Sequence, residues 1–169
     1  MRRNTNEVDV SRGSLMTWRR KDKIFAVLSA AVMVLLLATA ECAAATVGIV
    51  KVAEGAATVS RGAQTMPAAP GLALEEGDVL KTGADGHLGV VLRDDTRVSL
   101  GPDTEVRIDR FVFAPAQGQL ALVLKMVRGV AAYVSGKIAQ LSPDAVRVET
   151  PVATVGVRGT RFVAKVPAP

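Results

Sequence analysis

The 169-residue chain is 49% hydrophobic, 4% aromatic and 22% charged, with one histidine, one cysteine and a formal net charge of +5. That length leaves room for a single modest domain, and one His with one Cys cannot supply a His-His or Cys-His cluster. Residues 1–40 hold seven Lys/Arg and three Asp/Glu, whereas residues 41–169 hold fourteen and thirteen. The basic balance therefore sits in the N-terminal segment, and the remainder has no large excess of positive charge with which to attract nucleic-acid phosphates.

Residues 1–23 are polar and basic, and Met16 offers a second start that would leave a compact leader. Arg19-Arg20-Lys21-Asp22-Lys23 is followed by seventeen uncharged residues, Ile24 to Ala40. A basic flank, an apolar core and small residues make the three-part pattern of an export signal. Cleavage sites are available after Ala40 and after Ala45, and the second is favoured because Thr46 opens a strand-like run. Residues 24–45 are thus expected to be an apolar helix with its cleavage region. The alternative is an uncleaved anchor that leaves residues 46–169 outside the inner membrane. Cys42 follows Glu41, and a charged residue there argues against a lipid-modified cysteine. Cleavage after Ala45 would leave no cysteine in the exported part, and hence no disulfide or thiolate chemistry.

From Thr46 onward the pattern is short β-favouring runs separated by turn residues. Val47–Val52 and Ala56–Arg61 flank a turn at Glu54-Gly55. Gln64–Leu74, with two prolines and a glycine, reads as a loop. Val79–Thr82 is a strand, and Gly83–Gly86 a turn whose Asp-Gly pair suits positive φ. His87–Leu92 and Arg97–Leu100 flank the polar turn Arg93–Thr96. Glu105–Phe113 is the longest clean alternation; it places Val106, Ile108 and Val112 on one face together with Arg110, and Phe111 and Phe113 on the other. Leu120–Val127, Val130–Val134 and Val146–Glu149 follow, with a loop around Ser142-Pro143-Asp144. Roughly ten strands set eight to twelve residues apart predict an all-β domain. Leu120–Val127 is ambiguous between strand and helix, and no convincing amphipathic helix appears after residue 46. An internal echo, Thr82, Gly89 and Thr96-Arg97 against Thr150, Gly156 and Thr160-Arg161, suggests two stacked β units with a shared core.

The most unusual stretch is Thr150 to Phe162. Closely spaced glycines before Thr160 suggest a phosphate cradle, but no Lys precedes that Thr and no helix follows. The reading that fits is strand, bulge or tight approach, strand, with Gly156 and Gly159 where a side chain would meet a neighbouring backbone. Arg158 and Arg161 would point to opposite faces of a regular strand; a bulge at Gly159 would bring them together for ion pairing or for an anionic partner.

Elsewhere the candidate chemistry is sparse. His87 beside a glycine turn reads as a surface residue. Asp94, Asp95, Asp103, Glu105 and Asp109 have the spacing of no calcium loop and are interleaved with basic residues, so they read as solvated turns. Ser135, Ser142 and Thr160 have no His or Lys placed as a base, so no catalytic residue, cofactor or metal is expected.

Gly77-Asp78-Val79-Leu80-Lys81-Thr82, Gly86, the Asp94-Asp95-Thr96 turn and Thr150-Pro151-x-Ala153-x-x-Gly156-Val157-Arg158-Gly159-Thr160-x-Phe162 together resemble the FecR domain family, from about Val47 to Val166. The resemblance implies an extracytoplasmic all-β domain of roll-like or short solenoid-like character; a β-sandwich is the alternative. It also marks Thr150, Pro151, Gly156, Arg158, Gly159, Thr160, Arg161 and Phe162 as fold signature or partner-binding residues. In the best-known members a cytoplasmic segment contacts a sigma factor and the periplasmic part senses a siderophore receptor. At most twenty-three residues precede the apolar run and nothing follows Pro169, so a stand-alone exported domain is expected. The expected function is a non-enzymatic interaction or signalling module with an unknown envelope protein as partner, no nucleic acid, and membrane contact only through the apolar segment. Carbohydrate or peptidoglycan binding is the alternative, weakened because Trp18 lies in the leader and Tyr133 is the only tyrosine. Sigma-dependent signalling is the further alternative.

Overall fold

Nearly every alternating run becomes a strand in the computed structural model, which describes residues 45–157 and 161–167. In chain order these are β1 (Thr46–Glu54), β2 (Ala57–Arg61), β3 (Gln64–Pro67), β4 (Ala73–Glu75), β5 (Val79–Thr82), β6 (His87–Leu92), β7 (Arg97–Leu100), β8 (Glu105–Ala114), β9 (Gln119–Val134), β10 (Val146–Glu149), β11 (Thr154–Gly156) and β12 (Arg161–Val166). One short helix, α1 (Lys137–Leu141), lies between β9 and β10. The export segment with its apolar helix and cleavage sites, the alternative start, Trp18 and Cys42 fall outside the described residues, as do Arg158, Gly159 and Thr160. Among the described residues no helix is long and apolar enough to cross a membrane.

All twelve strands belong to one sheet, whose main path runs β3-β2-β5-β8-β9-β7-β6-β1-β4, with β10, β11 and β12 joined beyond β9. The sixteen-residue β9 is the spine. Its first half pairs with β8 antiparallel and with β10 in parallel, and its second half with β7 and β12, both antiparallel. One long strand thus belongs to both halves of the sheet. The sheet curls around its own core as a mostly antiparallel half-barrel, and the sandwich alternative is not what forms.

The core follows from period-two alternation. Leu88, Val90 and Leu92 of β6, Val98 and Leu100 of β7, and Leu122, Leu124 and Met126 of β9 all point inward and are buried. Burial of each such leucine contributes about 1.5–3 kcal/mol. Ile138 and Ala139 of α1 close one part of this core.

Four expectations are corrected by the structure. Gln64–Leu74 is not a plain loop, since β3 pairs only with β2 and β4 only with β1. Both are sheet edges, where Pro67 leaves no ladder bond unmade. Secondly, β8 does not alternate cleanly: Ile108 faces Leu124 but Arg110 faces Val123, so Asp109 is an extra residue. This bulge resets the period, turning Arg110 out and Phe111 in, and the Phe111 N–H donates to the Glu76 carboxylate at 2.9 Å. Thirdly, Leu120–Val127 and Val130–Val134 are one strand. Gly129, at φ +95°, carries it past Thr104, whose Cα would lie 2.4 Å from a Cβ at that position. Lastly, Gly86 does not have positive φ; it is required because a Cβ there would lie 2.1 Å from the Ala56 carbonyl oxygen.

The echo has a specific structural counterpart. Arg97 of β7 and Arg161 of β12 both pair with Val134, and the register stays matched through Leu100 and Ala164, both opposite Ala131. The two strands are therefore equivalent flanks of β9 within one sheet, not parts of two stacked units.

Candidate functional site

The stretch from Thr150 is a projecting hairpin. The β10 strand pairs with β11 through Val148↔Val155 and Glu149↔Thr154. Thr150 closes the turn between them: its N–H and hydroxyl donate to the Ala153 carbonyl at 2.8 and 2.9 Å, and its Oγ1 accepts the Ala153 N–H at 3.0 Å. Pro151 follows Thr150 in that turn, and Val152 at its tip is 90% exposed. Among the described residues nothing lies within 4 Å of a Cβ built on Gly156. The expected tight backbone approach is thus absent at Gly156, while Gly159 falls outside the described residues. Val157 turns inward and is buried.

Beyond Thr160, Arg161 is exposed and Phe162 packs inward, its ring stacked on Tyr133 with centroids 5.1 Å apart. These two rings line a small apolar cavity of about 20 Å³ with Val98, Leu124 and Met126. Tyr133 is 3% exposed, and its hydroxyl is buried without a hydrogen bond of good geometry. Burial pushes its pKa up, the largest of the influences on it. A ring so placed cannot offer a flat platform to a sugar.

The acidic residues are divided among structural tasks. Asp94 and Thr96 are fully buried. The Thr96 hydroxyl donates to Asp94 Oδ2 at 2.7 Å and accepts the Gly136 N–H at 3.2 Å. The Lys137 N–H donates to the Asp94 carbonyl at 2.6 Å, and the Ile138 N–H to Oδ2 at 3.4 Å. The β6–β7 turn therefore supplies the acceptors that the start of α1 lacks within itself. Asp95, at φ +67°, pairs with Lys137 at 2.8 Å on the surface, which lowers the Asp95 pKa and raises that of Lys137. Asp103, at φ +50°, occupies the turn before β8. Glu105 lies between Lys81 and Arg128, and Asp109 pairs with Arg107. Among the described residues no three His, Cys, Asp or Glu side chains are grouped to hold a metal ion.

A further cluster had no warning in the sequence beyond the Gly77-Asp78 pair. Asp78 is fully buried; Arg61 donates to both of its oxygens at 2.8 Å and to Glu75 at 2.5 Å. Asp78 also accepts the Glu75 N–H at 2.8 Å. This pair of forked bonds ties β2 to the turn that enters β5, and its carboxylates hold the Arg61 guanidinium above its ordinary pKa, the Asp78 bond being the largest influence. Exposed His87 at the start of β6 pairs in register with Glu54.

Comparison with known proteins adds one finding. A family model described as FecR protein matches residues 78–168, more than half of the chain, taking in β5 to β12. No curated protein matches the chain, and no solved structure does.

Proposed function

The chain belongs to the FecR protein family, and from that premise we propose that residues 46–169 form an exported protein-interaction module of the cell envelope. The family supports a non-enzymatic signalling or interaction role there. The observation that carries the finer reading is the β10–β11 hairpin: its backbone is closed by Thr150, while Val152 and Val155 stay exposed at 90% and 41%. Exposed apolar side chains held on a rigid turn are the ordinary means of anchoring a protein partner. Among the described residues Arg61, Asp78, Lys81, Glu105 and Lys137 are already committed to ion pairs.

Export rests on the basic flank and the seventeen uncharged residues from Ile24 to Ala40. In this reading the domain works in the periplasm or outside the cell, after cleavage behind Ala45 or on an uncleaved inner-membrane anchor. A reporter enzyme fused after Thr46 should be active only outside the cytoplasm. N-terminal sequencing of the mature protein separates cleavage from anchoring and decides whether Met16 is the start.

A photo-crosslinking amino acid at Val152 of the full chain, used in the native envelope, tests the interaction role. A crosslinked envelope protein, lost on Val155→Asp, is the expected result. Retention on peptidoglycan instead would favour the carbohydrate alternative, which the burial of Tyr133 weakens. Recovery of a sigma factor would favour the signalling regulator.

A further inference from the structure

Charge is segregated on the outer face of the β8–β9–β10–β11 region. Lys81, Glu105 and Arg128 form one cross-strand row whose charges meet at 3.4 and 3.9 Å. In the next row Arg107 pairs with Asp109, and Lys125 lies in register with Glu149. The third row is Arg110, Val123, Arg147 and Gly156, on β8, β9, β10 and β11 in turn. Arg110 and Arg147 are both exposed, and neither has an ion pair among the described residues. Two strand spacings separate them, about 10 Å. They wall a depression floored by Ala121 and Val123, with Asp144 and Ala145 at its rim; Asp144 already has a partner of its own. On the far side of Arg147 a second depression opens over Gly156, where no side chain of the described residues intervenes.

We propose that this row binds an acidic polypeptide segment of the partner, with carboxylates on Arg110 and Arg147 and aliphatic stems on Ala121 and Val123. The proposal rests on the reading of the domain as a protein-interaction module and names the chemistry of its partner. Arginine forks match carboxylate geometry bidentately. Carboxylates on alternate residues of an extended chain lie about 7 Å apart, a spacing two flexible arginines about 10 Å apart at their bases can meet. A phosphate or lipid headgroup is less suited, since the β9 backbone here is engaged by β8 and β10 and offers no ring of free N–H groups. The bulge at Asp109 is what turns Arg110 outward, so a feature needed for packing also completes the site.

The test places the photo-crosslinking amino acid at Val123 of the full chain in its native envelope, with Val152 and the remote exposed Val163 as comparison positions. The expected result is a crosslinked peptide with at least two acidic residues, lost in the Arg110→Gln/Arg147→Gln double variant while its thermal melt is unchanged. A synthetic peptide copying that segment should bind the full chain in detergent about tenfold or more tightly than its Glu→Gln and Asp→Asn copy, the scale of one charge-assisted contact. A neutral peptide, a lipid or a glycan at Val123, or crosslinking indifferent to the double variant, would overturn the proposal. Crosslinking at Val152 but not at Val123 would also overturn it while leaving the interaction module intact. Silence at all three positions would overturn both.

Discussion

Gly129 and Gly156 show how differently two glycines in strands of one sheet are constrained. At Gly129 positive φ and a Cβ that would lie 2.3 Å from Thr104 Oγ1 act together. The Thr104 hydroxyl is fixed there, because it donates to the Val130 carbonyl at 3.1 Å and accepts the Val130 N–H at 2.9 Å. Gly129→Ala is expected to cost more than about 3 kcal/mol or to prevent folding, whereas Gly156→Ala should change stability by less than about 0.5 kcal/mol; urea unfolding of both variants checks the contrast. Arg61 poses a different problem. Its removal strands the buried Asp78 carboxylate, so Arg61→Ala should destabilise by about 3–5 kcal/mol. A denaturant midpoint within error of the parent would show that the carboxylate finds another partner.

At the scale of elements, the five-residue helix α1 is far too short to persist alone. Its N-cap residue Gly136 gives no side-chain acceptor, and the turn between β6 and β7 does so instead through Asp94 and Thr96. Asp94→Ala should therefore expose several buried donors at once, lowering stability by about 2–4 kcal/mol. It should also speed hydrogen exchange at Thr96 and Ile138, whose N–H groups lose the carboxylate, well before that of β9; equal acceleration throughout the domain would mean that α1 has no separate dependence on the turn. The bulge in β8 is a second case of one element set by another, since Glu76, before β5, holds the bulged strand through the Phe111 N–H. Deletion of Asp109 would restore simple alternation while keeping Arg110 on the outer face and Phe111 on the inner one. A folded domain is the expected outcome, read by circular dichroism, and loss of the folded signal would show that the bulge itself is required.

For the whole molecule, Tyr133 couples the halves of the sheet to pH. It lies on the spine strand β9, between Val98 of β7 and Phe162 of β12. Its pKa is raised in the folded state by burial, above the ordinary value of 10.0. The neutral phenol is therefore favoured by folding, and this contribution is complete below pH 10. It is lost as pH rises through the raised value, because the unfolded chain ionises first. Thermal stability should fall above about pH 10, and Tyr133→Phe should flatten that fall while costing little near neutrality. An identical alkaline profile in the variant would assign the effect to other groups.

The sequence by itself determined the fold class and the positions of most strands, because period-two alternation and turn residues are local properties. It also carried the family through Gly77-Asp78 and the Thr150–Phe162 stretch, since such turns demand particular residues wherever they occur. Only the tertiary structure decided which face Arg110 occupies, that β9 runs unbroken through Gly129, and that Gly156 is an open surface position. The bulge, the Thr104 contact and the pairing of β9 with both β8 and β10 join residues distant in the chain, and distance in sequence hides which backbone stands opposite which. Arg110 did interrupt the inner face of the predicted alternation, a polar residue where an apolar one was due. That mismatch was the one local trace of the bulge, and it marks the residue that faces Arg147 across β9.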